Sequence, residues 1–442
     1  MSGSVTDTES PHKRVWRLAG PLIISNISIP ILGAVDTAVV GHLPGPQYIG
    51  AVAVGTMIFT ALYAGTSFLR MATVGLSAQA YGSDDGSEMR AVLARAFLFG
   101  LGIGLAIIVL QVPLAHIGFY LMGAGPDVEP LAREYFFIRV WAAPAALTNI
   151  AIIGWLIGAH NTRASLAMYL LMNGLNAALD LWFVIGLGWG VAGVAWATFI
   201  AQYATLVLGL VIAMRMLRGM NGTWDREKLL NKQAFTRLAA INRDIFLRSM
   251  FLQGAIFAFT SIGARLGTVV LAANAILIVF QYVMSAAIDG FSHTSSALVG
   301  DAIGTRSRER FSEAVRITTW WSFGCAALFS VIFITTGPFF IDIMTSVPDV
   351  RAAARDFLPW MVITPLAGFL SYQLDGFFIG ATRAADMRNA MLVSVLIYTL
   401  ALAVLVPPFG NHGLWLSFIV LLLARAATLY LRFPKIERSI GN

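Results

Sequence analysis

Apolar runs of about 20 residues or more, long enough to cross a bilayer as helices, follow one another along almost the whole chain. Twelve are read, near residues 15–41, 49–80, 90–122, 130–159, 163–186, 189–217, 243–266, 269–300, 312–344, 352–381, 386–407 and 412–432. Several are long enough to require tilt or bending. The 442 residues are 58% hydrophobic and 12% charged, with a mean hydropathy of +0.76, whereas soluble domains carry about 25% charged residues. The fold class expected is all-α integral membrane. The opening stretch MSGSVTDTESPHKR is polar and lacks the short apolar core and cleavage site of a secretory signal.

The net charge of +7 is concentrated in alternate loops, which argues for membrane orientation and against nucleic-acid binding. Lys13, Arg14 and Arg17 precede or open the first span. Arg90 and Arg95 follow the second. Arg215, Arg218, Arg226, Lys228, Lys232, Arg237 and Arg243 follow the sixth, and Arg306, Arg308, Arg310 and Arg316 the eighth. Arg425, Arg432, Lys435 and Arg438 lie at the end of the chain, and the loops after spans 1, 5 and 11 have no Lys or Arg. Both termini are therefore expected in the cytoplasm. The lone Cys325 rules out a disulfide within the chain, and the histidines show no metal-ligand spacing.

The two halves repeat. GWLIGA at 154–159 recurs as GFFIGA at 376–381, and AYG at 80–82 as AIG at 302–304, both at an offset of 222. Six spans per half make the repeat parallel, about an axis along the membrane normal, with substrate expected in a central cleft between the halves. The expected organisation is a disordered cytoplasmic tail (1–13), an N-terminal lobe of helices 1–6 (14–217), a cytoplasmic linker (218–242), a C-terminal lobe of helices 7–12 (243–432) and a second cytoplasmic tail (433–442).

VDTAVVGHL at 35–43, NAALDLWFVIGLGWGVAGVAWAT at 176–198, RDIFLRS at 243–249 and LDGFFIGATRAADMRNAM at 374–391 together resemble the multidrug and toxic compound extrusion (MATE) transporters, most closely their DinF branch. The resemblance runs from about residue 14 to 432. It implies twelve helices in two six-helix lobes, a bacterial inner-membrane location, and cation-coupled export of small organic, often cationic or amphipathic, compounds. No enzymatic set of nucleophile and base is found. No cofactor is expected beyond the coupling ion, H⁺ or alternatively Na⁺, and the protein is expected to act as a monomer in the bilayer.

Four aspartates fall within spans: Asp36, Asp180, Asp289 and Asp375. A carboxylate at that depth costs several kcal/mol and is rarely incidental. The repeat offset pairs none of them with another acid, so the duplicated fold does not require them twice. Asp36 and Asp180 lie on outward-running helices, about five and six residues from their ends, and so at similar depth. Asn173 and Asn176 share a helix face with Asp180, and Thr198 approaches from the next helix. The resemblance implies a cation- or proton-binding pocket at Asp36, Asn176, Asp180 and Thr198. It also places Ile153 where some relatives carry an asparagine. The competing reading is a hydrogen-bond network that locks helices 1, 5 and 6. In the C-terminal half, some relatives use an acid matching Asp375 with a glutamate that Gln253 replaces here. Asp375, Asp289 and Gln253 are thus candidates for a second coupling site. The alternatives are a structural or gating role for Asp375 and an ion pair of Asp289 with Arg70, Arg248 or Arg265. Arg248 is expected to snorkel to the cytoplasmic surface and Arg70 to face the bundle interior. The rival function is a lipid-linked oligosaccharide flippase of the wider superfamily.

Overall fold

The computed structural model describes residues 10–440 except 42, 44, 64 and 65; the side chains of 29–37, 40 and 439 lie outside the described set, and with them Asp36. In chain order the helices are α1 (Pro11–Val40), α2 (Pro46–Leu62), α3 (Ser67–Gly82), α4 (Gly86–Val109), α5 (Gln111–Met122), α6 (Glu129–Arg139), α7 (Ala143–Gly158), α8 (Thr162–Asp180) and α9 (Gly190–Arg218). They continue as α10 (Arg226–Leu229), α11 (Lys232–Arg265), α12 (Thr268–Gly304), α13 (Arg308–Met344), α14 (Pro348–Gly380), α15 (Ala384–Tyr430) and α16 (Pro434–Ser439). A 3₁₀ turn at Val140–Ala142 joins α6 to α7, and a π-helical segment, Leu181–Gly186, extends α8. All regular structure among the described residues is helical, as expected.

Among the described residues, nine helices are long and apolar enough to cross a membrane, or ten when the bent pair α2–α3 is one span. The two remaining expected spans are α1, part of which is undescribed, and the second arm of α15. That helix breaks at Gly410, whose φ of 55° and ψ of −126° are open to glycine and disfavoured for other residues. Large apolar side chains stand exposed along the helices, Val109, Tyr120 and Leu431 among them. Such a surface suits lipid as solvent.

Two compact units divide the chain: an N-unit of Ile24–Thr236, and a C-unit of the residues up to Ile23 and from Arg237 onward. The N-unit core centres on Phe59, Phe136, Tyr135 and Val194. The C-unit core centres on Phe259, Phe280, Phe333 and Trp415. The division differs from the expected lobes because the first turns of α1 pack in the C-unit. Arg14 pairs with Asp301 at 2.7 Å, and Trp16 packs edge-on against Phe291 and Trp321. The expected linker 218–242 is also more ordered than a simple connector. The Arg90 guanidinium donates to the carbonyls of Leu217, Met220 and Asn221, while α11 already begins at Lys232. In the expected C-terminal tail, α16 buries Ile436 completely.

The internal repeat is written into the backbone. Asp84 and Arg306, and His160 and Thr382, are the positive-φ non-glycine residues among those described, and each pair is separated by 222. The next residues begin helices: Asp85, Asn161 and Ser307 each accept a hydrogen bond from the third backbone N–H beyond them, at 2.9, 3.1 and 3.2 Å. Close helix contacts repeat as well. A Cβ on Gly154 would lie 2.6 Å from the Arg70 carbonyl oxygen, and one on Gly376 would lie 2.4 Å from that of Ser292. Small residues here let α7 approach α3, and α14 approach α12, backbone to backbone.

Candidate functional site

The polar face of α8 is built by spacing. Asn173, Asn176 and Asp180 fall within a sector of about 60° at about 100° per residue, and all three are buried, Asp180 completely. The far side carries exposed Gly174 and Ala178, and exposed Leu181 and Trp182 follow in the π segment. Asp180 is the last α-helical residue before that segment. Single π turns widen a helix locally and are frequent at functional positions.

Neighbouring helices supply partners. Asn176 Nδ2 donates to Thr198 Oγ1 on α9 at 3.3 Å, and that hydroxyl donates to the Val194 carbonyl at 3.1 Å. Asn173 Nδ2 donates to Ser28 Oγ on α1 at 2.9 Å, and Ser28 Oγ donates to the Ser25 carbonyl at 2.7 Å. One turn beyond Thr198, the Asn149 amide of α7 donates to Gln202 Oε1 at 3.0 Å and to its carbonyl at 2.9 Å. Four of the five residues expected in the pocket are thus placed on α8 and α9, while the Asp36 side chain lies outside the described residues. The sequence reading missed Ser28, Asn149 and Gln202. The signal for Gln202 was available, since it follows Thr198 by four residues on one helix face.

The C-unit holds a different arrangement. Asp375 on α14 accepts through Oδ2 from both Arg248 on α11 and Arg425 on α15, the latter at 2.8 Å. All three are buried, at 6%, 9% and 2% exposure. Arg248 therefore does not snorkel outward, and its partner is Asp375, not Asp289. A buried guanidinium demands a carboxylate within reach more strongly than the helix end demands exposure. Arg425 also lies 5.5 Å from the centroid of the Tyr372 ring. The Tyr372 hydroxyl meets Ser285 Oγ at 2.8 Å and accepts from Gln281 Nε2 at 3.2 Å. Asp289 is half-buried on α12. Gln253 is exposed on α11 and takes no part in the Asp375 cluster. Arg70 is half-buried on α3, with no ion pair among the described residues. Arg425 had been counted only as a terminal basic residue, although LLLARAATLY shows it inside an apolar run, where a charge needs a partner.

A sequence model of the MatE family matches residues 21–182 and 245–405, one segment in each half. The chain is 41% identical over 422 residues to DNA damage-inducible protein F of Escherichia coli (strain K12), covering 95% of this chain and 91% of that protein. It is 23% identical to the probable multidrug resistance protein NorM of Caulobacter vibrioides, over 95% and 91% of the two chains. Among solved structures, a multidrug resistance MATE family transporter in an outward-facing conformation superposes with a TM-score of 0.82 at 20% identity, over 100% of this chain and 99% of that one. The Vibrio cholerae MATE transporter VcmN in its bent form gives a TM-score of 0.85 at 19% identity, over 98% of each chain. The fold, the duplicated match and the near full-length identity agree with one another, and the chain belongs to the MatE family of multi-pass membrane proteins.

Proposed function

We propose that this protein is a proton-coupled secondary exporter of small organic, amphipathic or cationic compounds, working by alternating access as an antiporter. In this reading it acts as a monomer in the bacterial inner membrane, with both termini in the cytoplasm, and does no covalent chemistry. The observation that carries the proposal is Asp180, fully buried beside Asn173 and Asn176 on the polar face of α8. Desolvation raises the proton affinity of such a carboxylate, and a second acid nearby, the role assigned to Asp36, raises that of one of the pair further. When ionised, the pocket attracts a cation. When protonated, it loses that charge and releases the cation. Proton and substrate then compete for one site, which is the minimum that antiport requires. Inward movement of one charge supplies about 2.3 kcal/mol per 100 mV. In the C-unit, the Arg248–Asp375–Arg425 cluster already carries an excess of positive charge, which disfavours a second cation site at Asp375.

The test is efflux from proteoliposomes driven separately by a pH gradient and by a sodium gradient. Wild type should respond to the pH gradient at fixed sodium, and Asp36→Asn or Asp180→Asn should lose the coupled component while remaining folded. Efflux that follows sodium alone would replace the proton by Na⁺ in the same pocket. Undiminished pH-driven efflux by both variants would sink the mechanism.

A further inference from the structure

Besides the Asp375 cluster, the motifs RDIFLRS at 243–249 and LDGFFIGATRAADMRNAM at 374–391 meet at a second acid, Asp244 of α11. Its Oδ1 accepts from Arg243 Nη2 and Nε at 3.1 and 3.2 Å, and from Arg388 Nη1 on α15 at 2.6 Å. The Asp244 side chain is 8% exposed, that of Arg388 27% and that of Arg243 64%. The acid therefore lies beneath, and the two guanidinium groups stand outside it on one oxygen. One carboxylate neutralises only one of them. The other bonds of Arg388 go to the neutral Asn389 Oδ1, at 2.9 and 3.1 Å. The pair thus presents surplus positive charge from a buried anchor that fixes where it points.

The same pattern adjoins it on the first turns of α15. Asp386 is more buried than the three cations around it, Arg383 at 3.0 Å, Lys435 at 3.3 Å and Arg432 at 3.8 Å. Arg383 also donates to the Lys435 carbonyl at 2.9 Å, which ties α16 to this end of the C-unit. Five cations thus stand over two carboxylates. The chain below them is apolar. α11 and α15 run side by side away from the charges, since the Tyr398 hydroxyl donates to the Ala255 carbonyl at 3.4 Å. At helical spacing, half-buried Leu247 follows Arg243, and exposed Leu392 and Leu396 follow Arg388.

We propose that Arg243 and Arg388, seated on Asp244, bind the phosphate of an anionic phospholipid whose acyl chains lie along Leu392 and Leu396. Guanidinium forks match phosphate oxygens in geometry as well as charge. Basic clusters where a span leaves the bilayer attract anionic lipid. A soluble phosphate would use the cations and leave the leucines bare, whereas a zwitterionic lipid brings its own cation to a surface that already has a surplus. A phosphodiester carrying acyl chains and one net negative charge matches both parts. The site does not depend on which ion or compound the protein moves.

Native mass spectrometry of the full chain in detergent, titrated with dioleoyl phosphatidylglycerol or dioleoyl phosphatidylcholine, tests the site. The first phosphatidylglycerol should bind severalfold more tightly than the first phosphatidylcholine. Arg243→Gln leaves Arg388 on Asp244, so the buried pair persists. It should bring phosphatidylglycerol binding down severalfold, toward that of phosphatidylcholine. Arg308→Gln removes the same charge from an exposed position at the start of α13 and should leave the preference intact. Equal binding of the two lipids by wild type, or equal losses in the two variants, overturns the site in favour of a diffuse field. Glycerol 1-phosphate binding as tightly as the lipid would make this a site for soluble phosphate and overturn the lipid. Phosphatidylglycerol carrying a diazirine on its acyl chain should crosslink to residues 388–400; crosslinks confined to other spans overturn the placement.

Discussion

At the scale of single residues, the two units treat buried charge in opposite ways. Asp180 is buried on the α8 face that carries the amides of Asn173 and Asn176, whereas Asp375 holds two guanidinium groups on one oxygen. Removing the acid from such a cluster leaves buried positive charge uncompensated and costs about 3–5 kcal/mol. Asp375→Asn should therefore lower the thermal unfolding midpoint in detergent markedly. Gln253→Leu, at an exposed position on α11, should stay within about 0.5 kcal/mol of wild type. Comparable midpoints for the two would show that Asp375 does not hold the arginines in solution. Asp180→Asn should mainly affect coupling, because asparagine keeps the size of the side chain while removing both its charge and its ability to take up a proton.

At the scale of elements, the repeat makes paired predictions. A Cβ on Gly158 would lie 2.6 Å from the Val74 carbonyl oxygen, and one on Gly380 would lie 2.5 Å from that of Ser296. Gly158→Ala and Gly380→Ala should each cost about 1–3 kcal/mol by overpacking, and denaturant titration should give similar losses for both. The linker offers a pH test outside the membrane spans. Asp85 caps α4 and pairs with Lys228 of α10 at 2.7 Å. Burial pushes its carboxyl up, but the Lys228 hydrogen bond and charge, with the backbone bonds, outweigh this and hold it below the ordinary value. The same bond raises Lys228. The carboxyl contribution is present above the unfolded Asp value and is lost as pH falls through the lowered one. The ammonium contribution is present below the unfolded Lys value and is lost as pH rises through the raised one. The clamp is thus complete between about pH 4 and about pH 10.4. Both groups are more than a third exposed, so it is worth at most about 1 kcal/mol. Hydrogen exchange over residues 219–231, relative to Asp85→Asn, should lose its protection below that window. Asparagine caps about as well as aspartate, so α4 itself should hold.

At the scale of the whole molecule, the proposed orientation predicts that Ser10→Cys and Thr223→Cys, made in a Cys325→Ala background, react with impermeant thiol reagents only from the cytoplasmic side. Labelling of the two from opposite sides would refute the topology. Much of the architecture was legible in the chain because a bilayer permits so few solutions. Apolar length marks the spans, and the 222-residue recurrence of GWLIGA as GFFIGA anticipated the paired Gly contacts and the paired positive-φ residues. The α8 face was legible because Asn173, Asn176 and Asp180 lie on one helix, where spacing alone sets direction. Partners across helices were not legible. Arg248 could have reached several acids, and only the approach of α11, α14 and α15 joins it and Arg425 to Asp375. The packing of the first turns of α1 in the C-unit depends on Trp16 and Arg14 finding Trp321 and Asp301, some 300 residues away. The sequence by itself determined the all-helical membrane fold, its duplication and the polar face of α8, because each follows from local periodicity under a strong solvent constraint. Tertiary structure alone decided which charges neutralise one another and which buried polar side chains meet across helices, because those depend on distances between helices far apart in the chain.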